Sequence, residues 1–207
     1  MRHARLLLLP AALLLAACQP QAPAEPDPVD APAAPAEAPA SVEDAAATGN
    51  ADMMREAVSA RASATLQATE GNSVAGTLEF TSVDGGVRVT GQVTGLQGGE
   101  HGFHVHENGD CSAPDASSAG GHFNPASTAH GRVGQGEHHA GDSDNISANA
   151  QGVATVDTLL QGVTLGDGSG TDIVGKGVIV HADPDDYTTQ PTGNAGGRLA
   201  CGVIAAQ

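Results

Sequence analysis

Residues 102–125 read GFHVHENGDCSAPDASSAGGHFNP. The opening residues alternate, with Phe103 and Val105 apolar and His104 and His106 polar. In a β-strand, residues two apart face the same side, so Phe103 and Val105 turn to a core while the two imidazoles project together. Taken alone, such a pair reads as two solvated histidines on a polar face; as half of a metal site it needs more ligands nearby. This chain supplies them: His122 in a glycine-rich stretch, His130, then His138 and His139 followed by Asp142, and His181 after the apolar run Gly177–Val180. Seven of the nine histidines fall between residues 101 and 139, mostly where no strand pattern exists. A cation with fixed ligands would hold such segments in place.

The period of two repeats on either side of this stretch. Leu78 and Phe80 alternate with Thr77, Glu79 and Thr81, and Val87, Val89 and Val93 alternate with Arg88, Thr90, Gln92 and Thr94. That is the pattern of half-buried antiparallel strands. Between the two runs, Asp84-Gly85-Gly86 tolerates positive φ and reads as a hairpin turn. Further strands are expected at 100–106, 146–150, 153–158, 177–182 and 199–205, and no long stretch carries a helical period. The expected class is all-β: an eight-stranded Greek-key β-barrel, or immunoglobulin-like sandwich, with two long loops at 107–145 and 182–198. Loops of that length in a compact domain are expected to be functional.

The 207 residues carry a formal net charge of −16 and no tryptophan, which suits one domain of ordinary size and gives no sign of a nucleic-acid partner. Residues 1–17 combine Arg2 and Arg5 with the apolar run Leu6–Ala17, too short for a permanent membrane span and suited to an export signal. The run ends in Leu15-Ala16-Ala17-Cys18, which resembles the bacterial lipobox, in which the cysteine is acylated and becomes the mature N-terminus. With Gln19 following, the resemblance implies an anchor at Cys18 in the outer membrane, facing the periplasm of the cell envelope. A soluble secreted protein that discards Cys18 with its signal is the other reading. Residues 18–60 are rich in Ala, Pro and acidic side chains and read as an extended tether. Within it, 49–61 either forms a short helix or continues the tether. Residues 61–207 form the folded domain.

In that domain GFHVHENGD (102–110), AGGHFNP (119–125), His130, HAGD (139–142), VIVHADPDD (178–186) and GNAGGRLACGVI (193–204) follow in order. Together these motifs resemble the copper/zinc superoxide dismutases over nearly the whole domain. The resemblance implies one copper per subunit on His104, His106, His122 and His181, and one zinc per subunit on His122, His130, His139 and Asp142, with His122 bridging the metals. Three histidines and a carboxylate suit a closed zinc site, and an all-imidazole set suits Cu(II) with a position open to a small molecule. His138 is adjacent to His139 and competes for the zinc role, although the spacing to Gly141-Asp142 favours His139. His101 matches a histidine that binds no metal. Asp185 matches a carboxylate that orients one copper and one zinc histidine, here His104 and His130. Arg198 matches an arginine that guides the anionic substrate. Cys111 and Cys201 are left once Cys18 is assigned to lipid, and in an exported protein they are expected to form a disulfide; two free thiols are the alternative.

The implied reaction is dismutation of superoxide to dioxygen and hydrogen peroxide, with His122 and Arg198 as the catalytic side chains. From 61 to 207 sixteen acidic residues face five basic ones, a net charge of −11 opposed to an anionic substrate, so attraction has to be local. The stretch 182–197 holds no lysine or arginine, which leaves Arg198 nearly alone in that task. A copper-binding or copper-delivery envelope lipoprotein on the same scaffold is the alternative function. Both a monomer and a homodimer are compatible with the sequence.

Overall fold

A small alternation begins the domain. In Arg61–Ala68 the side chains of Ala62, Ala64 and Leu66 are buried while their neighbours face outward, and this stretch is strand β1. It pairs with β2 (Ala75–Val83), which turns through Asp84-Gly85 into β3 (Gly86–Thr94). The register sets Phe80 against Val89, so the inward faces of both strands are apolar. The remaining strands are β4 (Gly99–His101), β5 (Phe103–His106), β6 (Ile146–Ala148), β7 (Ala154–Gln161), β8 (Gly177–His181), β9 (Arg198–Val203) and the short β10 (Ala205–Ala206). These assignments come from a computed structural model that describes residues 59–207. The signal segment, Cys18 and the tether as far as residue 58 lie outside the described residues.

All strand pairs are antiparallel, in the order β4-β6-β7-β3-β2-β1-β9-β8-β5, with β10 added to the start of β1. The two ends of that order, β4 and β5, are halves of one run interrupted at Gly102. The sheet therefore curls until its ends meet, giving a nearly closed barrel. With β4 joined to β5 and β10 to β9, the ten segments reduce to eight runs. Among the described residues there is no α-helix, only a single 3-10 turn at Ser117–Ala119.

The interruption within the expected strand 100–106 has a local cause. Gly102 donates its N–H to the carbonyl of Asp183 at 2.9 Å and accepts from His181 N–H at 2.8 Å, so the chain leaves β6 and joins β8 at this residue. A Cβ here would stand 2.8 Å from that of Ala195, which leaves room only for glycine. The expected strand 146–150 ends early because the Asn149 side chain accepts the N–H groups of Gln151 and Val153 at 2.9 and 3.1 Å and closes a turn.

The barrel interior is filled by fully buried Leu66, Leu78, Phe80, Phe103, Leu160 and Ile204. Each large side chain of this kind contributes roughly 1.5–3 kcal/mol through burial. A second, smaller apolar cluster lies on the other face of β8 and β9, where Ile179 and Cys201 meet Ala116 and Ala119 of the loop after β5. Cys111 is disulfide-bonded to Cys201, so this loop is tied to the sheet both covalently and by packing. The bond spans a sequence separation of 90 residues. Replacing both cysteines by alanine is expected to lower the unfolding free energy by about 4 kcal/mol on the chain-entropy account. Denaturant unfolding checks this, and a loss below about 1 kcal/mol would mean that packing alone holds the loop.

Candidate metal centre

Strand β5 ends the strand order, so among the described residues one of its edges lacks a strand partner. Unpaired backbone groups on an edge invite another segment to pair with them. Here the partner is the protein's own loop. Phe123 N–H donates to Val105 O at 2.8 Å, Val105 N–H to Gly141 O at 2.9 Å, and Gly141 N–H to Phe123 O at 2.8 Å. His106 and His122 form an isolated antiparallel bridge beside them. Two distant parts of the loop 107–145 are thereby fixed to the strand that carries His104 and His106, bringing in His122 from one and Asp142 from the other. Residue 141 has to be glycine, because a Cβ there would run into the carbonyl of Val105.

The strand register completes the first set. Phe103 pairs with Val180 and Val105 with Val178, all of them facing the core, so His104, His106 and His181 lie on the opposite face of β5 and β8. The loops cover that face, and all three rings are buried. His104 Nδ1, His106 Nε2, His122 Nε2 and His181 Nε2 are buried with no hydrogen-bond partner among the described residues. The opposite nitrogens are occupied: His104 Nε2 by Asp185 Oδ2 at 2.8 Å, His106 Nδ1 by Gly120 O at 2.9 Å, His181 Nδ1 by Gly196 O at 3.4 Å and His122 Nδ1 by Asp142 Oδ1 at 2.7 Å. Each acceptor selects the tautomer that leaves a bare lone pair on the other nitrogen. One ligand atom from each of the four rings lies within 4.8 Å of the others.

A second set forms around Asp142, whose side chain is fully buried. His122 Nδ1 and His139 Nδ1 stand 2.7 and 3.4 Å from Oδ1, and His130 Nδ1 stands 3.0 Å from Oδ2. The four ligand atoms again lie within 4.8 Å of one another. His122 belongs to both sets, through a different nitrogen in each. Asp185 connects them a second time, with Oδ2 on His104 and Oδ1 on His130 Nε2 at 3.0 Å.

The protonation states follow from this geometry. Burial pushes His104 down to about 4 in spite of its hydrogen bond to Asp185. Burial and then the nearby His122 ring push His106 down to about 2. His181 is lowered well below the ordinary imidazole value by burial and by the rings of His104 and His122. These are neutral imidazoles at neutral pH, the form that ligates a metal. Burial also works against a charged His130, but hydrogen bonds to Asp142 and Asp185 outweigh it and raise that ring to about 9. For Asp142 and Asp185 burial opposes ionisation, yet the histidine hydrogen bonds prevail and hold both well below the usual carboxylate range.

An unpartnered buried lone pair forfeits its hydration without compensation. Four of them converging in one place, beside three imidazoles gathered on one carboxylate, fit two adjacent cations. The all-imidazole set suits copper and the set with a carboxylate suits zinc. His139 enters the second set, whereas His138 lies outside it with Nδ1 on His139 O at 2.8 Å. His101 belongs to neither set, its ring held between His181 O and Gln97 O, each at 2.9 Å. Arg198 is half-buried beside the first set and donates Nη1–H to Ala116 O and Nη2–H to Gly120 O, both at 2.6 Å. Its charge further disfavours protonation of His106 and His181.

Several supporting residues escape a reading of the sequence. Asn145 pairs reciprocally with the backbone of Asp185, accepting its N–H at 2.8 Å and donating to its carbonyl at 2.9 Å. Gln190 pairs in the same way with His130. Tyr187 accepts from Asn145 N–H at 2.9 Å, with Arg132 above its ring. Lys176 donates to Glu107 O at 3.1 Å and sits 4.9 Å over the ring of Phe123. The only available signal was the presence of polar residues within otherwise featureless loops.

Comparison with known proteins gives one consistent result. The family model described as copper/zinc superoxide dismutase matches residues 74–204. Copper/zinc superoxide dismutase 3 of Arabidopsis thaliana is 41% identical over 143 residues, covering 66% of this chain and 85% of the relative. Among solved structures, the clock protein EA4 aligns at a TM-score of 0.65 and 40% identity, covering 72% of this chain and 96% of that one. A SOD-like protein of Bacillus subtilis, solved as a double mutant, aligns at 0.63 and 38% identity, covering 69% and 96%.

For the metal-free protein the ring shifts predict opposing pH effects. The stabilisation associated with the lowered His104 and His106 is complete above the unfolded value of 6.5 and is lost as pH falls toward about 4 and about 2 respectively. That of the raised His130 is complete below 6.5 and lost as pH rises through about 9. Thermal unfolding of the chelated protein is expected to show its highest midpoint between about pH 6 and 7.5, with a decline on both sides. A midpoint that keeps rising through pH 9 would contradict the His130 arrangement.

Proposed function

The chain belongs to the copper/zinc superoxide dismutase family, and on that premise we propose that His104, His106, His122 and His181 hold copper and that His122, His130, His139 and Asp142 hold zinc. The protein is an oxidoreductase that uses copper and zinc to convert two superoxide ions and two protons into dioxygen and hydrogen peroxide. What carries the residue assignment is the convergence of four buried, unpartnered ring nitrogens at a point that shares His122 with a second ligand set.

When bound, copper supplies a one-electron couple and zinc a fixed, redox-inert charge. The chain supplies the rest. Arg198 binds the superoxide anion: its guanidinium is braced by two loop carbonyls, remains charged and keeps further N–H donors for a small anion. His122 exchanges the transferable proton at Nε2, the atom of this ring that has no protein partner and whose lone pair accepts a proton only when it is not ligating, while Nδ1 stays committed to the zinc side with Asp142. Asp185 orients His104 and His130 together, and Gly120 O orients His106 while it also receives Arg198. The buried surroundings keep bulk water away from these polar groups and strengthen each interaction.

Location belongs to the same proposal. Residues 1–17 serve as a lipoprotein signal, Cys18 carries the lipid, 18–60 form the tether and 61–207 the enzyme domain, on the outer membrane and facing the periplasm. The support is the lipobox-like Leu15-Ala16-Ala17-Cys18 followed by Gln19 and an Ala/Pro-rich acidic segment. Stable anchoring needs more than one acyl chain, which lipoprotein processing at the cysteine provides.

Two experiments test these assignments. Purified protein is expected to bind copper and zinc and remove superoxide, with Arg198→Glu lowering the rate about a hundredfold and Arg61→Glu, far from the site, changing it less than about twofold. Equal effects of the two substitutions, measured by pulse radiolysis at one ionic strength, would remove Arg198 from the substrate path. In cells, Cys18→Ser is expected to abolish incorporation of labelled palmitate and release the domain from the membrane fraction. Retention of label would disprove the anchor site.

A further inference from the structure

Each zinc-side imidazole depends on the backbone that carries it, and the backbone around residue 130 belongs to no strand. Its two polar groups meet the same side chain. His130 N–H donates to Gln190 Oε1 at 2.9 Å, and Gln190 Nε2 donates to His130 O at 2.8 Å. The amide of Gln190 thus mimics a strand partner, closing a two-bond bridge between the loop 107–145 and the loop 182–197. Gln190 is itself presented by a stiff turn. The Asp186 carboxylate accepts Thr188 N–H, Thr189 N–H and the Thr189 hydroxyl at 2.9, 2.8 and 2.6 Å, and Gly193 N–H donates to Thr189 O at 2.7 Å. At Gly193, φ is +64° and a Cβ would strike Asp185, with His130 Nε2 only 2.7 Å away. The turn therefore packs backbone directly onto the His130–Asp185 pair.

We propose that Gln190 is a positioning residue for zinc, holding the main chain of His130 so that its Nδ1 meets His122, His139 and Asp142 at ligand distance. This rests on the zinc assignment above. Gln190 is exposed, so its truncation leaves groups that water satisfies, and the cost to folding is small. The cost falls on ligation, because a ligand free to wander by a fraction of an ångström gives up metal affinity. The copper side is affected less, since His106 and His181 are held by Gly120 O, Gly196 O and their strands, none of which Gln190 touches.

The test uses the full-length purified protein with zinc as the probe, titrated against a chromophoric chelator, together with the visible spectrum of cobalt(II) seated in the same set. Gln190→Ala and the isosteric Gln190→Met are both expected to weaken zinc binding about tenfold. They should also perturb the cobalt bands while moving the metal-free unfolding midpoint by less than about 3 °C. Gln190→Met with wild-type zinc affinity would show that side-chain packing, not the amide bridge, is what matters, and would overturn the proposal. Unchanged affinity in Gln190→Ala would overturn it as well. The zinc assignment itself fails separately, if wild-type protein binds no zinc or if His139→Ala binds it as tightly as wild type.

Discussion

One imidazole ring placed between two ligand sets constrains the architecture around it. His122 turns Nδ1 to Asp142 and leaves Nε2 bare among three other bare ring nitrogens, in a place where water does not reach. Such a ring tolerates little displacement on either side. Its backbone is accordingly bridged to His106, and the neighbouring Phe123 is bonded to β5. Gly141 is compressed against Val105, which sets the position of Asp142 one residue later. The unpaired edge of β5, a liability in most sheets, is the template that assembles the second ligand set.

Around the rings lies a layer of acceptors that decides which nitrogen keeps its lone pair. Gly120 O and Gly196 O do this for His106 and His181, and Asp185 does it for His104. Asp185 also reaches His130, so the two ligand sets share a carboxylate as well as a ring. A change in orientation on one side is therefore felt on the other through rigid, buried contacts. Gly120 O accepts from both His106 and Arg198, which links the half-buried guanidinium to a ring of the first set through one atom. Packing of Ile179, Ala116 and Ala119, with the Cys111–Cys201 bond, keeps that carbonyl in place.

Electrostatics runs in two directions at once. The domain is strongly acidic, and two of its carboxylates, Asp142 and Asp185, are buried at the site. Buried anions are tolerable because each is surrounded by imidazoles, and two metal cations would neutralise them more fully. Across the surface most of the negative charge is screened beyond ~10 Å, so the half-buried Arg198 beside the rings weighs more than its single charge suggests.

The strands around Leu78, Phe80, Val87 and Val89 are legible in the chain because apolar and polar residues alternate there with strong contrast. β1 is less so, since its inward face is mostly alanine, whose small side chain gives a weak apolar signal beside Ser63, Thr65 and Gln67. The break at Gly102 is invisible for a different reason: it is imposed by Ala195 and Asp183, both far along the chain in sequence. The same distinction holds at the site. Sequence alone pointed to the chemistry: imidazole and carboxylate side chains at strand and loop spacings suggested a metal site, the motif resemblance implied seven ligands, and those seven residues are grouped in space. Only the tertiary structure decided which nitrogen of each ring is free, that Asp185 serves two histidines, and that Asn145 and Gln190 grip backbone across the loops. Those features depend on hydrogen bonds between residues 14 to 81 apart in sequence, which leave no periodic trace along the chain.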